Sequence, residues 1–491
     1  FEPRRATVLT GSLASISQRE LVTANIADRD HPALLADLLL AWPVNRLVSS
    51  GDYLIEIADG GSWTGETPAA RVALASDPDA VLEEVDLGAG TIRDAVLQGG
   101  KLYVLRQTPA NQDFRYYYYG WPVIMPMMAS ANAAPVTSEN SIQADQPAVY
   151  LEIYDASALP QLNLLGSVSS SLSGGQTYDL GTLLWASPTC PVVVVQPQTW
   201  SSYRYPLLMA PVVVAAKTAV TSGTPVAVAS SVASSMMIWR SPTLTSVPAV
   251  AIVFQVADAS APTVQNSVTL TAVGDTAINA ATAGGGLLVF GYGNQAAVLA
   301  DGTYSRCRHF LRILDLQNSS NPALRSPLDL PGRLVAATDV THDGFLAWTE
   351  SFGAKKTQPV GDRQVQVSTC DGTQVFQIAS LSLSGFTAIT ADGRGLFLAQ
   401  DKVVNRYGLN DAGTLAASGS ITLDWTPNAL RAIPGGLLGS DWNHLFRSAS
   451  ITGAVSAWQS TDWAEVQKVM PLENGSVLVP TGEYGVNRLD P

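Results

Sequence analysis

The chain is short of cysteine, of basic residues, of histidine and of long apolar runs, and each shortage removes a class of function. Its three cysteines (Cys190, Cys307, Cys370) form no C-x-x-C pair, and an odd number leaves at least one unpaired. Neither a zinc site nor a disulfide framework follows, and buried free thiols are expected. Lys and Arg total 28 against 41 Asp and Glu, a net charge of −13. A surface so poor in cations releases few counterions, so nucleic acid and anionic membrane are poor partners. The longest apolar stretches, such as Leu207–Ala216 and Pro191–Val195, fall far below the ~20 residues of a membrane-spanning helix. No transmembrane segment is therefore predicted. What is present is core-building material: 46% of residues are apolar and only 14% charged. An opening at Phe1, with neither Met nor a charged-then-apolar leader, fits removal of a signal peptide, so an exported protein, extracellular or periplasmic, is the expectation.

A repeated unit runs along the chain. Its clearest copy is Phe310-Leu-Arg-Ile-Leu-Asp315-Leu-Gln-Asn-Ser-Ser-Asn-Pro322-Ala-Leu324. Echoes lie at Tyr150–Pro160, Val253–Pro262 and Ala24–Pro32, with weaker ones around Asp77, Asp371, Asp411 and Thr452. Residues before the acid alternate at period two, as in a half-buried strand. The Asp/Ser/Asn/Pro cluster then supplies a turn, because Asp and Asn bond their own backbone two residues on and Pro fixes φ. A second turn signal recurs independently: Gly99-Gly100, Gly285-Gly286, Asp343-Gly344, Asp392-Gly393, Gly435-Gly436 and Asn474-Gly475 each precede an apolar run. Such dipeptides suit two-residue hairpins, which need positive φ.

With Asp28, Asp77, Asp155, Asp258, Asp315, Asp371, Asp411 and Thr452 as markers, most spacings match a four-stranded propeller blade of roughly 40–57 residues. The expected architecture is all-β: one β-propeller domain over residues 1–491, with about eight blades and a range of seven to nine. Two spacings are too long. Residues 108–147 form an aromatic and Met-rich insertion, and residues 199–247 an inserted hairpin or degenerate blade. The C-terminal segment Tyr484–Pro491 reads as an opening strand without continuation, and Ala6–Leu13 as a strand without an opener. The two ends are expected to pair and close one blade.

The strand-turn-strand Phe310–Leu324 and the stretch Asp30–Ile57 resemble bacterial secreted β-propeller proteins that carry degenerate LVIVD-type repeats. The resemblance covers most of the chain, most closely about half of its units. It implies an exported propeller and transfers no catalytic residue, because the motif is structural.

Catalytic signatures are absent: there is no H-E-x-x-H, Walker A or G-x-S-x-G pattern. The four histidines (His31, His309, His342, His444) fall in different units, and no metal-binding trio repeats. The Gly-to-Trp spacing of quinone-dependent propeller dehydrogenases occurs once, imperfectly, at Thr452–Trp458. No catalytic residue, cofactor or metal is assigned. The informative anomaly is the first insertion, with Phe114, Tyr116, Tyr117, Tyr118, Tyr119, Trp121, Met125, Met127 and Met128. Tyr and Trp rings lose little rotamer entropy and Met adapts to irregular surfaces, so this tract has the makeup of a protein contact. The expectation is a non-enzymatic scaffold or subunit that binds a protein partner or itself, in a possible envelope-associated complex. The rivals are a glycan-active hydrolase or lyase with a site on the ring axis, and a saccharide or small-molecule binding module.

Overall fold

The computed structural model describes residues 5–16, 20–60, 67–108, 147–172, 178–197, 247–298, 305–352 and 363–491, the last without 384, 435, 442, 450–454, 460–464 and 483–484. Among them there is no helix, and the strands fall into nine antiparallel sheets in chain order. Sheet 1 is β1 (Arg5–Leu9), β2 (Ser12–Ile16), β3 (Glu20–Asn25) and β4 (Ala33–Leu39). Sheet 2 is β5 (Arg46–Ser50), β6 (Tyr53–Ala58), β7 (Ala69–Leu74) and β8 (Asp77–Asp86); sheet 3 is β9 (Thr91–Gln98), β10 (Lys101–Thr108), β11 (Ala148–Asp155) and β12 (Asn163–Ser171). Sheet 4 holds β13 (Tyr178–Ser187), β14 (Cys190–Pro197), β15 (Val250–Gln255) and β16 (Thr263–Thr269). In sheet 5, β17 (Ala280–Gly284), β18 (Leu287–Val298) and β19 (Ser305–Asp315) are edged by two short pieces, β20 (Ala323–Leu324) and β21 (Leu328–Leu330). Sheet 6 comprises β22 (Arg333–Thr341), β23 (Gly344–Phe352), β24 (Arg363–Cys370) and β25 (Val375–Leu383). Sheet 7 comprises β26 (Ala388–Asp392), β27 (Gly395–Gln400), β28 (Val403–Leu409) and β29 (Leu415–Thr422). Sheet 8 is β30 (Ala429–Ile433), β31 (Gly436–Ser440), β32 (His444–Ser448) and β33 (Val455–Gln459), and sheet 9 has only β34 (Met470–Pro471), β35 (Val477–Pro480) and β36 (Val486–Leu489).

Within sheets 2 to 8 the second and third strands carry the core. β6, β10 and β14 are buried almost throughout, whereas the fourth strand β12 alternates between exposed and half-buried positions. Sequences such as Tyr53-Leu-Ile-Glu-Ile-Ala58 lack polar alternation because neighbouring sheets cover both faces. First strands pack on first strands in sequence: β5 on β9, β9 on β13, β13 on β17, β17 on β22, β22 on β26 and β26 on β30. Sheets 8 and 9 share a cluster of Leu438, Leu445, Val477 and Val479. The circuit then returns, because β35 packs on β5 and Val44 and Gly482 exchange two backbone hydrogen bonds of 2.8 Å.

Side chains reinforce these contacts from sheet to sheet. The Asp94 carboxylate accepts from Leu183 N at 2.8 Å, and Gln196 accepts from Ile278 N at 2.9 Å. Asn279 donates to Leu334 O, Thr338 to Gly393 O at 2.7 Å, and Thr387 to Pro427 O at 2.6 Å. Arg431 donates to the carbonyls of Val466, Gln467 and Val469. Each such bond satisfies a backbone group that the packing removes from water.

The two turn signals of the sequence occupy one rim. Antiparallel order places every first-to-second and third-to-fourth connection at the same end of a sheet. Gly99-Gly100 and Gly285-Gly286 have positive φ at both positions, between +57° and +79°, as their two-residue hairpins require. The acids mark the third-to-fourth connections: Asp155 Oδ1 accepts from Ser157 N, Asp258 Oδ1 from Ser260 N and Asp371 Oδ1 from Thr373 N, all at 2.8–2.9 Å. At three sites the hairpin is displaced from the expected dipeptide. The register pairs Thr341 with Gly344 and Asp392 with Gly395, so His342-Asp343 and Gly393-Arg394 turn the chain, and it pairs Ile433 with Gly436, so Gly436 belongs to a strand.

Two expectations change. The terminal strands do not pair: among the described residues β1 pairs only with β2, and β36 only with β35. Thr10-Gly11 is itself a turn, with Gly11 at φ +73°, so Ala6–Leu13 holds parts of two strands that complete their own sheet with β3 and β4. Likewise β36 is a third strand, as is β28, rather than an opening one. Nine sheets stand where eight marked units were expected, because sheet 9 carries no marker of its own, and eight of the nine, sheets 2 to 9, are in circular contact.

Candidate functional site

The opposite rim collects the second-to-third connections and the links between sheets. Both insertions join strand ends on it. Thr108 and Ala148 are register partners across β10 and β11, and β14 and β15 are likewise adjacent in sheet 4. Each insertion therefore leaves and re-enters between paired strands of one sheet, and the two sheets are neighbours through β9 and β13. Residues 109–146 and 198–246 lie outside the described residues, and with them Phe114, Tyr116, Tyr117, Tyr118, Tyr119, Trp121, Met125, Met127 and Met128.

At the foot of the first insertion the rim is densely charged. Arg106, the third residue from the end of β10, is buried and bonds through its two Nη atoms to Glu152 and to Ala89 O. Its guanidinium lies 4.3 Å over the Tyr150 ring, and the Tyr154 hydroxyl donates to Glu152 at 3.1 Å. Burial and the Glu152 charge push the Tyr154 phenol well above its ordinary value. Beside this group, Arg46 reaches from sheet 2 to Arg93 O and to Asp94, 3.4 Å away. Arg93 Nε donates to Gln107 at 3.0 Å, and Gln107 in turn to Tyr178 O at 3.4 Å. One polar chain thus ties sheets 2, 3 and 4 on the rim that carries the strand ends flanking both insertions.

Asp59, at the end of β6, stands where sheets 9, 2 and 3 meet. Burial pushes its carboxyl above the usual range, against the opposing pull of Lys468, Arg46 and Arg93. Lys468 forms its own ion pair with Glu465, 3.2 Å away. A carboxyl held at such a position costs stability when ionised. Because its folded pKa lies above the unfolded value of 3.8, Asp59 favours folding most at low pH, and this is lost as pH rises through the folded pKa. Asp59→Asn is therefore expected to raise the melting temperature at pH 7 and to give no gain near pH 3. Thermal melts at both pH values check this, and equal shifts at the two would contradict it.

The histidines do not converge. His309 lies within β19, and burial and then Arg333 lower its pKa, which keeps the ring neutral. His444 stacks on Trp425 with centroids 5.1 Å apart and meets the Asp441 carboxylate at 3.0 Å. His31 bonds Asp28 at an exposed turn. No group of three or more His, Cys, Asp or Glu among the described residues could hold a metal ion. Cys190 and Cys370 are free and buried, and burial pushes the Cys190 thiol up to about 11, an inert state. An open groove of about 380 Å³ lies between sheets 6 and 7 on the turn rim, lined by Asp339, Leu346, Ile378, Arg394, Leu409 and Asp411 among others. Asp339 sits there at φ +53°, an uncommon conformation for a residue with a side chain.

No family model matches the chain, and no curated protein matches it. Among the described residues no helix is long and apolar enough to cross a membrane.

The charged rim went unnoticed in the sequence, although it leaves a trace there. Arg106 and Glu152 are charges in the interior of largely apolar strands. In a strand covered on both faces, such a charge must have a partner.

Proposed function

We propose that the chain is an exported β-propeller of the LVIVD-repeat kind that serves as a non-enzymatic scaffold or subunit, binding a protein partner or further copies of itself through its two insertions. The propeller reading is supported by eight sheets, 2 to 9, in circular contact, first strand on first strand from sheet 2 to sheet 8, with a shared apolar cluster joining sheets 8 and 9 and the Val44–Gly482 bridge joining last to first. The assembly reading rests on placement. Both long insertions connect strand ends on one rim, from adjacent sheets, where a polar chain ties sheets 2, 3 and 4 together. A surface projected from a rigid ring loses less entropy on binding than a loop on a mobile support. The low basic content fits a protein partner in the envelope or outside the cell better than a polyanion.

Light scattering of the whole chain tests this against the variant Tyr116→Ser/Tyr118→Ser/Trp121→Ser. The parent is expected to associate, and the variant to associate at least about tenfold more weakly, as loss of aromatic anchors does elsewhere. An unchanged association in the variant would contradict the reading. The groove between sheets 6 and 7 favours a second reading, a binding module for a saccharide or other small polar molecule. Calorimetric titration with soluble oligosaccharides separates the two.

A further inference from the structure

The groove between sheets 6 and 7 carries a strained acid. β22 and β23 pair Thr338 with Leu346 and Thr341 with Gly344, so Asp339 and Val340 stand opposite Phe345 alone, a β-bulge. The first bulged residue, Asp339, takes φ +53°, a conformation that glycine adopts without steric cost. A side chain kept in such a place points to a use for it. Asp339 lines the groove, and among the described residues no group donates to its carboxylate. Its backbone is held from below, because the Trp348 indole N–H donates to the Thr338 hydroxyl and that hydroxyl donates to Gly393 O in sheet 7. The carboxylate lies against the sheet 7 hairpin, where a Cβ at Gly393 would be 3.6 Å from Oδ1. The opposite wall has its charge matched already: Arg394 donates from Nε to Leu409 O at 3.0 Å and from Nη1 to Asp411 at 2.9 Å. Asp339 is the charge left over. The hairpins that frame this end of sheets 6 and 7 add Asp343, Asp371 and Asp392, and Arg394 is their only Lys or Arg. Arg325 reaches Gly372 O from sheet 5 but is paired with Asp315 at 2.6 Å.

We propose that this groove binds a small organic cation, an ammonium on an apolar stem, with the ammonium at Asp339 and the stem along Leu346, Ile378 and Leu409. The inference rests on the second reading above, that the groove is a binding module, and within it selects a charged amine over a neutral sugar. The three apolar residues form the floor. Leu346, Thr369 and Phe376 are register partners in one row, so Phe376, 51% exposed, continues that floor towards the outer edge. Such a floor gives a sugar's hydroxyls few partners, whereas an unmatched carboxylate beside low-polarity surface favours a cation. A volume of about 380 Å³ stands at the small end of ligand sites, which suits one stem rather than a chain of residues. The connections of sheets 6 and 7 on this rim are all described, and both long insertions leave from the other rim.

Ligand-observed saturation-transfer NMR on the whole chain tests this with n-pentylamine, n-pentanol as the uncharged stem, the peptide acetyl-Gly-Lys-Gly-amide and a soluble oligosaccharide. Asp339→Asn removes the charge and keeps a residue that tolerates this φ, and Asp339→Gly also relieves the strain. Circular-dichroism melts verify that both variants fold. Pentylamine is expected to bind the parent at least about tenfold more tightly than pentanol, and to lose at least about tenfold in both variants. Peptide binding as tight as that of pentylamine supports the proposal with a lysine side chain as the source of the cation. Weaker peptide binding supports it with a free amine. Equal binding of amine and alcohol, or amine binding unchanged in Asp339→Asn, overturns it. Oligosaccharide binding without amine binding overturns it and leaves the binding-module reading standing, and no binding by any probe removes both.

Discussion

Arg106→Leu is expected to destabilise the protein by about 3–5 kcal/mol, because it leaves the Glu152 charge buried without its partner. Arg106 and Glu152 are 8% and 6% exposed, so water cannot take the place of either group cheaply. The substitution also removes the donor to Ala89 O, in the link between sheets 2 and 3. Replacing both charges, Arg106→Leu with Glu152→Leu, is expected to recover a large part of that loss, since a desolvated ion pair is worth little more than a packed apolar pair. Denaturant midpoints for the two single variants and the double variant decide the matter. Additive losses would contradict the coupling.

The second large effect is expected at Trp348, in β23. Its side chain is fully buried among Val365, Val367, Leu396 and Leu398, from sheets 6 and 7. Its indole N–H donates to Thr338 at 3.0 Å, and the Thr338 hydroxyl donates onward to Gly393 O in the next sheet. Trp348→Ala removes the ring and leaves a cavity between two sheets, at a cost of about 3–5 kcal/mol. Trp348→Phe keeps most of the volume and leaves Thr338 bonded to Gly393, so about half that loss or less is expected. Equal losses in the two variants would mean that the indole bond, rather than the packing, secures this contact.

Much of the fold was legible because its turns have local causes. Asp155, Asp258 and Asp371 bond a backbone N–H two residues on, and this pattern depends on nothing distant. Gly99-Gly100 and Gly285-Gly286 behave in the same way, since their φ angles are a property of the dipeptide. The shifted hairpins at Thr341 and Asp392 show the limit: register across a pair depends on packing as well as on turn chemistry. The order of contacts between sheets was less legible. Thr10-Gly11 divides Ala6–Leu13, and only pairing reveals that sheet 1 stands apart while Val44 meets Gly482.

The charged rim was the least legible feature. Asp59, Arg46, Arg93 and Lys468 are far apart in the chain, and no spacing rule connects them. Three sheets bring them together. The exposure of sheet 1 was not legible either: Ala33-Leu-Leu-Ala-Asp-Leu-Leu39 is nearly as apolar as the central strands of sheets 2 to 8, yet among the described residues no other sheet packs closely on it.

Electron-microscope class averages of the purified chain test the central claim most directly, namely that successive sheets close into a ring. The account predicts a disc of eight radial spokes about a central hole, with one extra lobe attached beside the seam of sheets 2 and 9. An open arc or a linear stack of sheets, with the Val44 and Gly482 ends apart, would contradict it.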